Sequence, residues 1–177
     1  MVVLNLILIG YRATGKTTLA GILAERLDYD WVDADVEIER RAGKSIARIF
    51  AEDGEPVFRD LEEEVIAELC GRERLVLAAG GGATMRETSR RAMRRCGRVV
   101  WLTAGPETIL ARMTGDETTA GRRPDLTEKG PLEEIITLLN RREPIYRESA
   151  HLTVDTENKT PEEIADEILY RLELSTG

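Results

Sequence analysis

The chain has little material for metal or disulfide chemistry: two cysteines, Cys70 and Cys96, and one histidine, His151, in 177 residues. They form no CxxC and no set with metal-ligand spacing, and two thiols make no disulfide framework. Both are expected to fill helix or core positions of a cytoplasmic protein. Long apolar runs are missing too. The longest, Val2–Ile9, is interrupted by Asn5 and falls far short of the ~20 residues that a spanning helix requires. No Lys or Arg precedes it as in a signal peptide, so neither a membrane partner nor export is expected. Lysine is scarce, with four against twenty-one arginines, and the net charge is −8. An acidic chain makes a poor general nucleic-acid binder, because such affinity comes from neutralising phosphates with a basic surface. Arginine can still build local sites for small anions, since a guanidinium grips a carboxylate or phosphate bidentately. The row Arg86, Arg90, Arg91, Arg94, Arg95 and Arg98 has the spacing of a solvated helix and no aromatics within it, so no nucleic-acid partner is expected there.

With 42% hydrophobic and 33% charged residues, the composition is that of one globular domain over 1–177. Short apolar runs alternate with longer amphipathic stretches, the pattern of a parallel sheet wrapped by helices. Strands are expected at Val2–Ile9, Tyr29–Val32, Leu75–Ala79, Val99–Leu102 and, more weakly, His151–Val154. Leu19, Ile22, Leu23 and Leu27 give Thr17–Leu27 one buried helical face. Thr160-Pro161-Glu162-Glu163 reads as a capping box with proline at the first helical position, and Pro106 and Pro131 mark two further helix starts. The stretch Thr114–Gly130 has three glycines, Pro124 and almost nothing to bury; a loop of that length in a compact domain is expected to be a lid over a site.

The most specific signal is Gly10-Tyr11-Arg12-Ala13-Thr14-Gly15-Lys16-Thr17, a full match to G-x-x-x-x-G-K-[ST] with an apolar strand before it and an amphipathic helix after it. Such a loop presents backbone N–H groups and a helix N-terminus to a phosphate chain. Lys16 then meets the β- and γ-phosphates, and the Thr17 hydroxyl ligates Mg²⁺. A GTPase reading fails, because Asn158-Lys159-Thr160-Pro161 lacks the last residue of NKxD. The acidic residue expected after an apolar strand is absent behind Leu75–Ala79, where Gly80-Gly81-Gly82 stands, and appears behind the second strand as Asp33-Ala34-Asp35. If the backbone stays extended, the two carboxylates share one face. One is then placed to serve Mg²⁺ through water and the other to contact the attacking hydroxyl. Asp33 also suits the N-cap of a helix beginning near Val36, and the two roles are compatible.

These residues resemble the shikimate kinases, small phosphate-loop kinases with a nucleoside-monophosphate-kinase type of fold. Beyond the phosphate loop and Asp33-Ala34-Asp35, the resemblance rests on Ser45-Ile46 through Ile49-Phe50, Gly54-Glu55, Phe58-Arg59 with Glu62, the triplet at 80–82, Arg123-Pro124 and Arg142-x-Pro144-x-Tyr146. These follow the family's order over residues 10 to about 146. The resemblance implies an α/β three-layer sandwich with a central five-stranded parallel sheet, a mobile lid over about 112–130 and a substrate-binding helical region over about 33–62. It implies transfer of the γ-phosphoryl group of ATP to the 3-hydroxyl of shikimate, on the route to chorismate and the aromatic amino acids, by a monomer that uses Mg²⁺.

By the same resemblance, ATP is held by Gly10, Arg12, Ala13, Thr14, Gly15, Lys16, Thr17 and Thr18, with Arg112 near the adenine. Arg123 enters from the lid to offset charge on the transferred group. Shikimate is held by Arg59 and Arg142 at its carboxylate, by the backbone of Gly80, Gly81 and Gly82, and by Asp35 at its ring hydroxyls. Lys16, Asp35 and Arg123 are the catalytic set, and Thr17 with Asp33, through water, is the metal set. Arg59 has Glu62 and Glu63 within helical reach as competing partners, and Arg142 has neighbouring carboxylates. Two positions depart from the family pattern: Ala13 replaces a frequent glycine, and Asp125 replaces leucine, where it could pair with Arg122 or Arg123. A related gluconate or nucleotide kinase and a non-catalytic nucleotide sensor are the remaining readings.

Overall fold

The computed structural model describes residues 4–115 and 130–173. Its five strands are β1 (Asn5–Ile9), β2 (Asp30–Asp33), β3 (Leu75–Ala78), β4 (Gly97–Thr103) and β5 (Leu152–Asp155). They form one sheet, parallel throughout, in the order β2-β3-β1-β4-β5. Among the described residues the helices are α1 (Lys16–Leu27), α2 (Ala34–Ala42), α3 (Ile46–Glu52), α4 (Glu55–Leu69), α5 (Glu87–Cys96), α6 (Pro106–Gly115), α7 (Pro131–Ser149) and α8 (Pro161–Arg171).

Three layers follow from the period of two along each strand. Ile7 and Ile9 of β1, with Leu75, Leu77, Val99 and Trp101, face α2, α3, α4, Met93 of α5 and Tyr146 of α7. Leu6 and Leu8, with Val76, Ala78, Val100 and Leu102, face Leu19, Leu23 and Leu27 of α1 and Ile164 and Ile168 of α8. Both strand faces are apolar because both are covered, which is why β1 and β3 read as continuous hydrophobic runs rather than alternations. Asn5 interrupts that run without breaking the sheet. Its Nδ2 donates to the Arg72 carbonyl at 2.7 Å and its Oδ1 accepts from the Leu75 N–H at 3.0 Å, so it pins the turn that starts β3.

The helix after β1 and the helix after β3 leave to opposite faces of the sheet, although these two strands are neighbours. Their loops therefore part above the carboxyl edge and leave a crevice between them, the usual place for a ligand in an open parallel sheet.

Several expected boundaries move. β2 and β5 each begin one residue later than read, β4 reaches from Gly97 to Thr103, and α6 runs on through Thr114 and Gly115, which the loop reading had assigned to the lid. The rest of the expected lid, 116–129, including Arg122, Arg123, Pro124 and Asp125, lies outside the described residues. The capping box at Thr160 is present, with its hydroxyl accepting from the Glu163 N–H and the Glu163 carboxylate accepting from the Thr160 N–H.

Four of the six arginines in the row are tied to their own protein. Arg86 pairs with Asp60 and Glu63, and Arg91 pairs with Glu87. Arg90 donates to the carbonyls of Thr84 and Met85, and Arg94 to those of Glu148 and Ser149 at the end of α7. Cys70 and Cys96 are both free thiols, half-buried at the ends of α4 and α5. Their mutual hydrogen bond raises the Cys70 thiol and lowers that of Cys96. No described helix is long and apolar enough to cross a membrane.

Candidate active site

The loop from Gly10 to Gly15 turns sharply off the end of β1. Gly10 has φ +141°, and a Cβ there would sit 2.5 Å from the Leu102 carbonyl oxygen of β4, so only glycine passes this point. Ala13 takes φ +60°, the left-handed conformation for which glycine is the commoner choice; an L-residue there costs roughly 1–2 kcal/mol. The Thr14 hydroxyl closes the loop by donating to the Tyr11 carbonyl at 2.8 Å. Lys16 Nζ donates to the Gly10 carbonyl at 2.9 Å and to the Tyr11 carbonyl at 2.7 Å, so its ammonium lies inside the loop it closes. No side chain caps α1. Its first amides are therefore open to an anion, which the helix dipole favours at this end.

At the first turn of α1, the Thr17 hydroxyl donates to Asp33 Oδ2 at 2.6 Å. Asp33 Oδ1 accepts from the amides of Asp35 at 2.9 Å and Val36 at 3.3 Å, which caps α2. One carboxylate thus holds both a hydroxyl of α1 and the start of α2. The bond reaches across the carboxyl edge past β3, which lies between β1 and β2. The expected shared face of Asp33 and Asp35 does not occur. The strand ends at Asp33 and α2 begins at Ala34, so Asp35 stands in the first helical turn, held in place by its neighbour's cap rather than by an extended backbone.

A cavity of about 250 Å³ lies behind the loop, lined by Ala13, Thr14, Gly15, Thr18, Leu19, Arg112, Thr156, Lys159, Pro161 and Ile164. Arg112 spans it, donating to the Ala13 carbonyl at 3.4 Å and to the Thr156 hydroxyl and carbonyl at 3.1 and 3.2 Å. Glu157 braces the far side, accepting from the Gly105 N–H at 2.7 Å and the Thr108 hydroxyl at 2.9 Å. Those bonds, the backbone one foremost, hold its carboxyl below the ordinary range. Apolar walls with a polar rim suit a planar base. Thr156, Lys159, Pro161 and Ile164 were not read from the sequence as site residues. Their one local signal is the cap at Thr160, which places a helix start but not its position beside the phosphate loop.

On the other side of the crevice, Gly81 packs directly on the phosphate loop; a Cβ there would be 3.5 Å from the Arg12 nitrogen and the Gly10 oxygen. Its carbonyl accepts from the Tyr146 hydroxyl and, at 3.3 Å, from Arg142 Nη1. Arg142 is only 8% exposed. No carboxylate among the described residues pairs with it, so the competing partners seen in the sequence do not reach it. Gly82 meets Arg59: a Cβ there would lie 2.6 Å from Nη2 and 2.8 Å from Cζ. The glycine therefore makes room for the guanidinium of this chain. Arg59 is held by Glu62 at 2.5 Å and Glu55 at 3.3 Å, with its Cζ 5.1 Å from the Phe58 ring centre. Glu63, the other candidate partner, is engaged by Arg86.

The crevice thus brings together residues 10–18, Asp33, Asp35, Gly81, Gly82, Arg59, Arg112 and Arg142, while Arg123 lies outside the described residues. Tyr11 was read only as a variable position of the motif, yet it is buried between the loop and α7. The two sides of the crevice match chemically: uncapped amides and an ammonium opposite two guanidiniums, with carboxylates at the rim.

A family model for shikimate kinase matches residues 12–173. Curated relatives named shikimate kinase include one from Rhodopirellula baltica, 45% identical over 98% of this chain and 92% of the relative. Another, from Pseudomonas putida, is 44% identical over 96% of each chain. The solved shikimate kinase of Acinetobacter baumannii in complex with shikimate superposes with a TM-score of 0.90 at 37% identity, covering 97% of this chain and 94% of that one. Similarity of this extent spans the phosphate loop, both arginine-bearing helices and the closing strand and helix, and the chain belongs to the shikimate kinase family.

Proposed function

We propose that this protein transfers the γ-phosphoryl group of ATP to the 3-hydroxyl of shikimate, giving shikimate 3-phosphate and ADP, a step towards the aromatic amino acids. The observation that carries this reading is the meeting of the phosphate loop with Gly81 and Gly82, where two guanidiniums converge on the lip of the nucleotide site. A small anion bound there lies next to the terminal phosphate. Shikimate, with one carboxylate and three ring hydroxyls, has the matching chemistry.

In this assignment the amides of 10–18 and Lys16 hold the phosphates, and Arg112 borders the adenine. Arg59 and Arg142 take the carboxylate. Asp35 orients the 3-hydroxyl and receives its proton as the oxygen bonds to phosphorus and the bond to the ADP oxygen breaks. Arg123, on a lid over about 112–130, offsets the charge of the moving group, and the helices over about 33–62 form the substrate side. Thr17 and Asp33 present only oxygen, a sparse set that suits Mg²⁺, which takes one or two protein ligands and completes its shell with phosphates and water. When bound, the ion neutralises phosphate charge. A cytoplasmic location suits two free thiols, and a monomer suits a site whose assigned groups among the described residues all come from one chain.

The test is a panel of acceptors, shikimate, gluconate and nucleoside monophosphates, with Mg-ATP and purified protein, read as ADP release. Release that depends on shikimate is expected. Release with gluconate or a nucleotide and none with shikimate would overturn the assignment, and tight ATP binding with no turnover would favour a sensor.

A further inference from the structure

Among the described residues Arg142 has no carboxylate partner, in a place where charge is costly to bury. Its one polar contact among the described residues is the Gly81 carbonyl at 3.3 Å, a long bond already shared with the Tyr146 hydroxyl. The remaining electrostatic support comes from a ring: Arg142 Cζ lies 5.8 Å from the centre of Tyr11. Arg12 lies over the same ring at 5.7 Å, but Arg12 has the buried carboxylate of Glu134 at 3.4 Å. Tyr11 thus serves two cations, of which, among the described residues, Arg12 alone is paired with an acid.

The ring is itself fixed. Tyr11 is 2% exposed and packs on Ile109 of α6 and on Ile135 and Leu139 of α7. Its carbonyl accepts from Lys16 Nζ and from the Thr14 hydroxyl. Among the described residues its own hydroxyl has no hydrogen-bond partner.

We propose that Tyr11 is a positioning residue for the substrate carboxylate: its aromatic face holds the Arg142 guanidinium beside the phosphate loop without occupying the donors that the carboxylate needs. An acid in its place would hold the arginine equally well but would compete with the substrate for the same N–H groups. A π face stabilises the cation from above the ring and leaves the in-plane donors open. Because Tyr11 belongs to the phosphate loop, the carboxylate anchor is indexed to the atoms that hold the γ-phosphate. The inference rests on the assignment of Arg142 to the shikimate carboxylate.

The test is calorimetric titration of shikimate into purified Tyr11→Leu, Tyr11→Phe, Arg142→Ala and the Tyr11→Leu/Arg142→Ala double variant, with Mg-ADP titrated separately. Tyr11→Leu, which keeps the apolar packing and removes the π face, is expected to weaken shikimate about tenfold and leave Mg-ADP within about twofold. Tyr11→Phe keeps the face and is expected to bind both ligands like the parent. In the Arg142→Ala background the leucine substitution is expected to add nothing. Unchanged shikimate affinity in Tyr11→Leu, an equal loss of Mg-ADP affinity, or an additive loss in the double variant would overturn the proposal. If Arg142→Ala itself binds shikimate normally, the carboxylate assignment fails first, and that outcome is distinct from a failure of Tyr11 alone.

Discussion

Eight consecutive residues, Gly10 to Thr17, supply the phosphate-binding part of the nucleotide half of the crevice, whereas Arg59, Gly81 and Arg142 reach the carboxylate half from α4, the loop after β3 and α7. The first half works through backbone: carbonyls hold Lys16, and uncapped amides wait at the start of α1. The second works through side chains whose geometry depends on packing. Within that half the contrast repeats. Arg59 is locked by the acids Glu55 and Glu62, while Arg142 is held by a ring and a peptide carbonyl. A contiguous backbone site survives most changes elsewhere in the fold, and an assembled side-chain site is open to tuning at each support.

The largest expected effect is on the nucleotide half. Lys16→Ala should lower kcat by about 10²–10³-fold, the cost of losing a donor aimed at developing charge, with shikimate affinity kept in direct titration. A parallel loss of shikimate affinity would show the two halves to be one unit. Next comes Asp35→Asn, expected to lower kcat about 10²-fold with the KM for ATP nearly unchanged, as removal of a proton acceptor does. A raised KM for ATP at normal kcat would instead make Asp35 part of the nucleotide half.

The two arginines sharpen the contrast further. Arg59→Ala and Arg142→Ala should each raise the KM for shikimate by about 10–100-fold, the range for charge-assisted hydrogen bonds. Their stabilities should diverge. Removing Arg59 takes from Glu62, 3% exposed, the guanidinium bound to it at 2.5 Å, so the ligand-free protein should melt at a lower temperature. Removing Arg142 leaves no buried anion among the described residues, and its melting temperature should fall less. Equal melting temperatures would erase the distinction between an acid-held and a ring-held arginine.

The smallest effect concerns the frame around Asp35. Glu37 on α2 is held down to about 2, from an ordinary 4.5, by hydrogen bonds from Arg40 and then Arg41. Arg41 also reaches Glu68 on α4. A depressed carboxyl adds stability above its unfolded value and loses it as pH falls from about 4.5 through about 2. Glu37→Gln should therefore melt slightly below the parent at pH 7 and match it near pH 2; a difference that persists at pH 2 would mean that the side chain acts through packing.

The same comparison explains what was legible in the sequence. The phosphate loop could be read because its chemistry lies in one run with a strand before it and a helix after it. Sheet and layers could be read because buried parallel strands leave continuous apolar runs. Asp33 was legible as a cap, but its direct bond to Thr17 and the placement of Asp35 were not, because whether the chain leaves extended geometry at residue 33 or at residue 36 depends on which carboxylate caps α2. Gly82 was placed at the site by the resemblance, as backbone against the substrate, whereas a β-carbon there would meet Arg59 of this chain. Tyr11 could not be read, since its role depends on Arg142, 131 positions away, coming to rest over its ring.

The separation of the two halves is tested most directly by titrating Mg-ADP and shikimate, each alone, into the Arg142→Ala protein. Shikimate affinity is predicted to fall by about 10–100-fold while Mg-ADP affinity stays within about twofold of the parent. Loss of both affinities in equal measure, or shikimate binding left intact, would contradict the division of the crevice between loop backbone and paired guanidiniums.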